Sequence, residues 1–112
     1  MDMAKIGQLY LDEGRWEGRQ VIPADWVQQA TTQQVDSRSM GITEGYGYMW
    51  WVTRAGDEPT FYAQGIGGQR IQVIPRLHLV VAISSEYDAS HHGVDGALLD
   101  YLVRWVIAPT LQ

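Results

Sequence analysis

Cysteine is absent from this chain of 112 residues, which excludes disulfides and thiolate-bound metal alike. The absence leaves the compartment open, cytoplasm or periplasm, because proteins of either can dispense with cysteine. Asparagine is absent too, and Lys5 is the single lysine. Any motif that needs an asparagine, or a lysine elsewhere, is therefore excluded. Basic residues are scarce, eight against 13 acidic ones, for a net charge of −5. A chain so charged lacks the basic face that binds phosphate backbones, so nucleic acid is not an expected partner. No apolar run approaches the roughly 20 residues of a membrane-spanning helix. No basic-then-apolar signal opens the chain, and no repeat or low-complexity segment interrupts it.

The sequence is rich in core-forming residues. Hydrophobic residues make up 46 %, including five Trp and six Tyr, enough for the core of one domain over residues 1–112. Asp2 can cap a first helix whose apolar positions Met3, Ile6, Leu9 and Tyr10 recur at helical spacing, with Gly14 as its stop. Residues 14–22 form a short excursion with glycine at its turns. Pro23 suits the first position of a second helix carrying Trp26, Val27 and Ala30 on its inner face. Residues 31–44 are polar and aperiodic, which predicts a loop. Residues 45–52 alternate Tyr46, Tyr48, Trp50 and Val52 with Gly47, Met49 and Trp51, so both faces are apolar, as in a central strand. A turn over 54–59 leads into a second strand, residues 61–75, and the tight connection at Pro75–His78 into a third, ending at Ile83. Val94, Ala97, Leu98, Tyr101, Leu102, Trp105 and Val106 define an amphipathic C-terminal helix that stops before Pro109. The expected fold class is α+β, a three-stranded antiparallel meander packed with two N-terminal helices and one C-terminal helix.

The second strand is unusual. Gly65, Gly67 and Gly68 interrupt it, although glycine weakens a strand by losing chain entropy and packing no side chain. Two explanations stand. The glycines can mark a bulge or bend, or they can clear a strand edge against which a substrate lies.

Several segments, in order along the chain, resemble the C-terminal part of the serine β-lactamase-like family. They are Asp2 to Leu11 (DMAKIGQLYL), Gly14 to Gly18 (GRWEG), Val21 to Val27 (VIPADWV), Tyr46 to Trp51 (YGYMWW), and Gly65 to Gln69 (GIGGQ) leading into Leu79, Val80 and Val81. The family includes class C β-lactamases, penicillin-binding-protein-like esterases and D-peptidases, and 6-aminohexanoate-oligomer hydrolases; the last segment is most similar to the aminohexanoate-hydrolase and esterase branch. The resemblance implies an active site at the edge of an antiparallel sheet, where a Ser-x-x-Lys motif supplies nucleophile and base and a tyrosine element assists proton transfer. A Lys/His-Thr-Gly triad on the edge strand forms the third wall, and the residue after it donates a backbone N–H to the oxyanion hole. The triad position reads Ala63-Gln64-Gly65, which makes Ile66 the expected backbone oxyanion donor. Gln64, Gly65, Gly67 and Gln69 become expected substrate-binding positions, although the two glutamines are equally explained as solvated strand residues. Ala63 and Gln64 replace the triad's cation and hydroxyl, so an amide or ester fits better than a β-lactam carboxylate.

The other half of such a site is missing. No serine precedes Lys5, and the serines at 37, 39, 84, 85 and 90 have no base at motif spacing. In the family both missing elements lie upstream. A match that starts at residue 2 therefore implies the C-terminal portion of a larger hydrolase domain, inactive by the family mechanism when alone. The alternative is a non-catalytic stand-alone remnant that binds a ligand or protein partner. Because the family's sheet has further strands, the chain is expected to self-associate or to pair with the N-terminal part. No cofactor is expected. His91 and His92 are adjacent and diverge, so with His78 they are read as loop residues and not as metal ligands. Glu86 and Asp88 are read as solvated charges, and Trp50 or Trp51 as core or cleft lining.

Overall fold

The computed structural model describes residues 2–36, 45–65, 68–84, 101, 105 and 108–110. Helix α1 spans Asp2–Leu11. It ends in a Schellman-type cap, in which Gly14 N–H reaches Leu9 O at 2.8 Å and Glu13 N–H reaches Tyr10 O at 3.2 Å. Glu13, with φ 57, takes the left-handed position one residue before the expected stop. A small hairpin follows, β1 (Arg15–Trp16) against β2 (Arg19–Gln20). Helix α2, Ala24–Ala30, begins after Pro23, which stands at its N-cap.

The remaining strands are β3 (Val35–Asp36), β4 (Gly45–Tyr46), β5 (Trp51–Ala55), β6 (Glu58–Gly65), β7 (Gln69–Ile74) and β8 (Leu79–Ile83). They form one six-stranded antiparallel sheet in sequence order. The class is α+β, but the meander is twice as long as the sequence predicts. Three expectations fail. Within the expected loop 31–44, Val35–Asp36 pairs with Gly45–Tyr46, a ladder too short to leave an alternation. The expected continuous strand over 45–52 is broken, because residues 47–50 bend and Met49 takes φ 70. The expected single strand over 61–75 is a hairpin: β6 and β7 pair from Phe61↔Val73 to Gly65↔Gln69, with Gly68 at φ 86 in the turn. Glycine there reverses the chain; it does not bulge a strand. The connection at Pro75 is as expected, a 3-10 turn over Pro75–Leu77 closed by His78 in the left-handed region.

Alternation along β6, β7 and β8 sorts their residues onto two faces. On the first, Phe61, Ile71 and Val73 are buried with Trp50 and Ala30, and Met3, Tyr10, Leu11, Ala63 and Val80 pack around them. Trp50 meets Phe61 edge-on at 5.1 Å and Tyr10 at 4.7 Å between ring centres. Helix α1 lies across β7 and β8 on this face. Its closest approach is at Gly7, where an added Cβ would stand 2.5 Å from Val80 Cγ1 and 3.0 Å from Ile71 Cγ2. On the second face, Ile74 and Ala55 are buried with Leu77, Leu79 and Val81 against them.

Two helix faces differ from expectation. Ile6 is 48 % exposed, because Gly7 and not an apolar side chain takes the position nearest the sheet. Trp26 is also outside the core and stacks on Tyr48, rings 6° from parallel and 5.3 Å apart. Most of the expected C-terminal helix lies outside the described residues. Its Tyr101 and Trp105, assigned to the inner face by spacing, are 57 % and 62 % exposed. A single helical turn covers Ala108–Thr110, so Pro109 lies inside it and does not follow a helix end. No helix among the described residues is long and apolar enough to cross a membrane.

Candidate functional site

The resemblance directs attention to the end of β6. This strand is interior to the sheet, flanked by β5 and β7, so the expected edge strand is not an edge along most of its length. Its last three residues differ. Pairing with β5 runs from Ala55↔Glu58 and stops at Trp51↔Tyr62. Beyond it, among the described residues, Ala63, Gln64 and Gly65 pair only with Ile71, Arg70 and Gln69 of β7.

The opening arises from the bend at residues 47–50. Gly47 N–H donates to Trp50 O at 2.8 Å, and Tyr48 N–H donates to Ala30 O at 2.9 Å, at the end of α2. A Cβ at Gly47 would lie 2.0 Å from that same Ala30 oxygen, so only glycine permits the approach. The bend turns the chain away from β6 where it would otherwise extend the ladder. Among the described residues, a stretch of strand edge is left without a neighbour on this side.

Gln64 and Gly65 are exposed and Gln69 is half-buried, with Gly65 opposite Gln69 in register. These three are brought together at one strand end. Ile66 and Gly67 lie outside the described residues. A Cβ at Gly65 would come no closer than 3.4 Å to Gln69 Cβ, an ordinary contact. The fold itself therefore does not require glycine at 65. Ala63 faces the Trp50 core, and Gln64 faces the opposite side of the sheet.

On that opposite side lies a group that the sequence alone does not reveal. Arg70 is 2 % exposed, with Cζ 4.1 Å from the centre of the Tyr62 ring. Its Nη2 donates to Gln64 Oε1 at 2.5 Å and its Nη1 to Gln72 Oε1 at 3.3 Å. Gln72 Nε2 donates to Thr60 Oγ1 at 3.2 Å, and Thr60 donates to Val73 O at 2.7 Å. The one sequence signal is the alternation of β7, which places Arg70 and Gln72 on one face and Ile71 and Val73 on the other. Of the two aromatic candidates, Trp50 is core and Trp51 packs half-buried against Tyr46 at 4.8 Å.

Two open clefts lie elsewhere. One of about 590 Å³ is lined by Leu11, Asp12, Glu13, Arg15, Pro75 and His78 among others. The second, about 430 Å³, lies between α1 and α2 and also reaches Pro75. Both adjoin the far end of β7 from the β6–β7 turn. No cluster of metal-ligating side chains occurs among the described residues.

No protein-family profile matches the chain. No curated protein matches it either. Solved structures do, 24 chains of them. One is a protein of Bacillus anthracis named as a candidate 6-aminohexanoate-dimer hydrolase, with a TM-score of 0.67 at 21 % identity. The match covers 95 % of this chain and 27 % of that one, so the chain spans about a quarter of its length. At this identity the likeness is one of fold: nearly all of this α+β chain is folded like part of that protein.

Proposed function

We propose that this chain forms one wall of the active site of a β-lactamase-like serine hydrolase that cleaves an amide or ester by acyl transfer. The observation that carries the reading is the bare strand end at Ala63–Gly65, in a fold shared with a protein named as a hydrolase. In this reading the Ile66 backbone N–H donates to the oxyanion as the carbonyl is attacked, a contribution of about 3–4 kcal/mol to the barrier. Gln64, Gly65, Gly67 and Gln69 line the path of the substrate. Ala63 offers no cation, which favours a neutral amide or ester over a β-lactam carboxylate. The nucleophile and its base are not among these residues, since no serine stands three positions before Lys5.

Hydrolysis of p-nitrophenyl acetate and nitrocefin tests the reading. The chain alone is compared with a version extended upstream through the nearest Ser-x-x-Lys. The expected result is ester hydrolysis by the longer version only. Turnover by the purified short chain would overturn the assignment of the nucleophile. Turnover by neither would favour a non-catalytic remnant that binds a ligand or protein partner.

A further inference from the structure

We infer that Gln64 is a hydrogen-bond donor to the carbonyl oxygen of the substrate, and that Arg70 is the positioning residue that aims it. The inference rests on the hydrolase reading above and adds to it a donor with a fixed direction.

An arginine side chain has five N–H donors and no acceptor. Whatever touches its Nη atoms must present an oxygen, so the amide orientations of Gln64 and Gln72 are settled by Arg70. Each turns its Oε1 toward the guanidinium. Each amide nitrogen must then point away from it. For Gln72 the consequence is visible, since Nε2 donates to Thr60 and Thr60 in turn donates to Val73 O. That branch starts at the cation and ends on a backbone carbonyl, with every bond polarised in one sense. The other branch is one residue long. Gln64 accepts from Arg70, and its Nε2 has no partner among the described residues. This donor terminus is exposed, one position before Gly65 at the bare strand end.

The two ends of the pair differ in mobility. Arg70 is clamped between the Tyr62 ring at 4.1 Å and Gln72 at 3.3 Å, with 2 % exposure. Gln64 is an exposed side chain that would otherwise sample many rotamers. A short charge-assisted bond from a fixed cation removes that freedom. It also polarises the amide and strengthens its remaining N–H as a donor. The group such a terminus recognises is an acceptor-only oxygen, here the carbonyl of an amide or ester. Gln64 thus supplies, at the position where the triad resemblance expects a hydroxyl, a donor of longer reach.

Substitutions at the exposed Gln64 test this without disturbing the core. Gln64→Glu keeps an oxygen to accept the Arg70 bond, now as a carboxylate, but removes the N–H. It is therefore expected to leave the unfolding midpoint of the 112-residue chain unchanged or raised. In the upstream-extended version it should lower kcat/KM for p-nitrophenyl acetate about 3- to 10-fold, chiefly through kcat, because the carbonyl oxygen that Gln64 bonds is the one that gains charge as the ester is attacked. Loss of a merely structural side chain would not lower kcat while leaving stability intact. Arg70→Lys keeps the charge but loses the fork, and as a single variant should lower kcat/KM, yet add little to Gln64→Ala in the double variant. Because Arg70 is buried, a second readout does not depend on that variant folding. In 15N-arginine-labelled chain, Gln64→Ala should shift and broaden the restrained Arg70 guanidinium resonances. A kcat/KM within twofold of wild type for Gln64→Glu, where the wild type hydrolyses the ester, would overturn the donor role. Arg70 resonances unmoved by Gln64→Ala would overturn the positioning role. An extended version that hydrolyses no ester would overturn the hydrolase reading itself, and the donor role with it.

Discussion

A methyl group has opposite consequences at two of the glycines. At Gly7 it would press on Val80 and Ile71, β-branched side chains held in the sheet, at 2.5 and 3.0 Å. At Gly65 it would meet only Gln69, with Cβ at 3.4 Å. Gly7→Ala should therefore destabilise the chain by about 1–3 kcal/mol by overpacking, outweighing the better helix propensity of alanine. Gly65→Ala should be neutral or stabilising by about 0.4–1 kcal/mol. If Gly65 lines the substrate path as proposed, the same Gly65→Ala should slow ester hydrolysis in the upstream-extended version, because its methyl would occupy that path. Urea unfolding and initial rates check the pair. A hydrolysis rate unaltered by Gly65→Ala would remove the reason for glycine there. Of these two roles, sequence can raise only one. Three glycines in four residues mark the region near 65 as unusual, and leave open whether a turn or a close approach is the reason. Gly7 sits inside an ordinary helical pattern, and its neighbours come from strands more than sixty positions away.

Among the elements, the bend between β4 and β5 has the greatest effect on the candidate site, and the sequence conceals it most. Tyr, Trp and Val over residues 45–52 have strand propensity, so the alternation is real as a local preference. What overrides it is a tertiary contact, the Ala30 carbonyl at the end of α2 accepting the Tyr48 N–H. Met49 is driven to φ 70 and left 78 % exposed. Met49→Gly should relieve that backbone and stabilise the chain by about 1 kcal/mol. Gly47→Ala, by contrast, forces a Cβ to 2.0 Å from the Ala30 oxygen and should cost about 2 kcal/mol or more. Thermal unfolding distinguishes these outcomes, and a neutral Gly47→Ala would mean that the bend is not latched to α2. The hairpin of β6 and β7 is hidden for a different reason. The turn is glycine-rich and both flanks are β-formers, so periodicity alone cannot tell a bulged strand from a reversal. The helices α1 and α2 are legible because their spacing and their proline and glycine signals are local. Arg70 is not. Its burial depends on contacts from other positions, the Tyr62 ring and the Gln64 and Gln72 amide oxygens among them, which no local pattern announces.

For the whole molecule, the informative feature is the far margin of the sheet. β8 is last in the strand order and, among the described residues, pairs with β7 alone. Its five residues Leu79, Val80, Val81, Ala82 and Ile83 are all apolar and all half-buried. An apolar strand with one ladder of backbone groups open is a template for another strand. The opposite margin is protected by its brevity, since β3 is only the two residues Val35–Asp36. Association through β8 is therefore the expected behaviour, either between two copies or, on the proposed hydrolase reading, with an N-terminal part of the hydrolase domain. Light scattering on the purified chain should give a mass at or above twice 12.6 kDa. Added upstream segment should compete, converting that species to a one-to-one pair as β8 gains its neighbour. Hydrogen exchange then locates the contact: the outward amides of β8 should be protected in either assembly, while those of Ala63–Gly65 remain open. A 12.6 kDa species at every concentration, with cooperative unfolding, would show that the β8 margin needs no partner. Protection that appeared at Ala63–Gly65 instead would place the association at the candidate site, and the bare strand end would then be an interface and not a substrate wall.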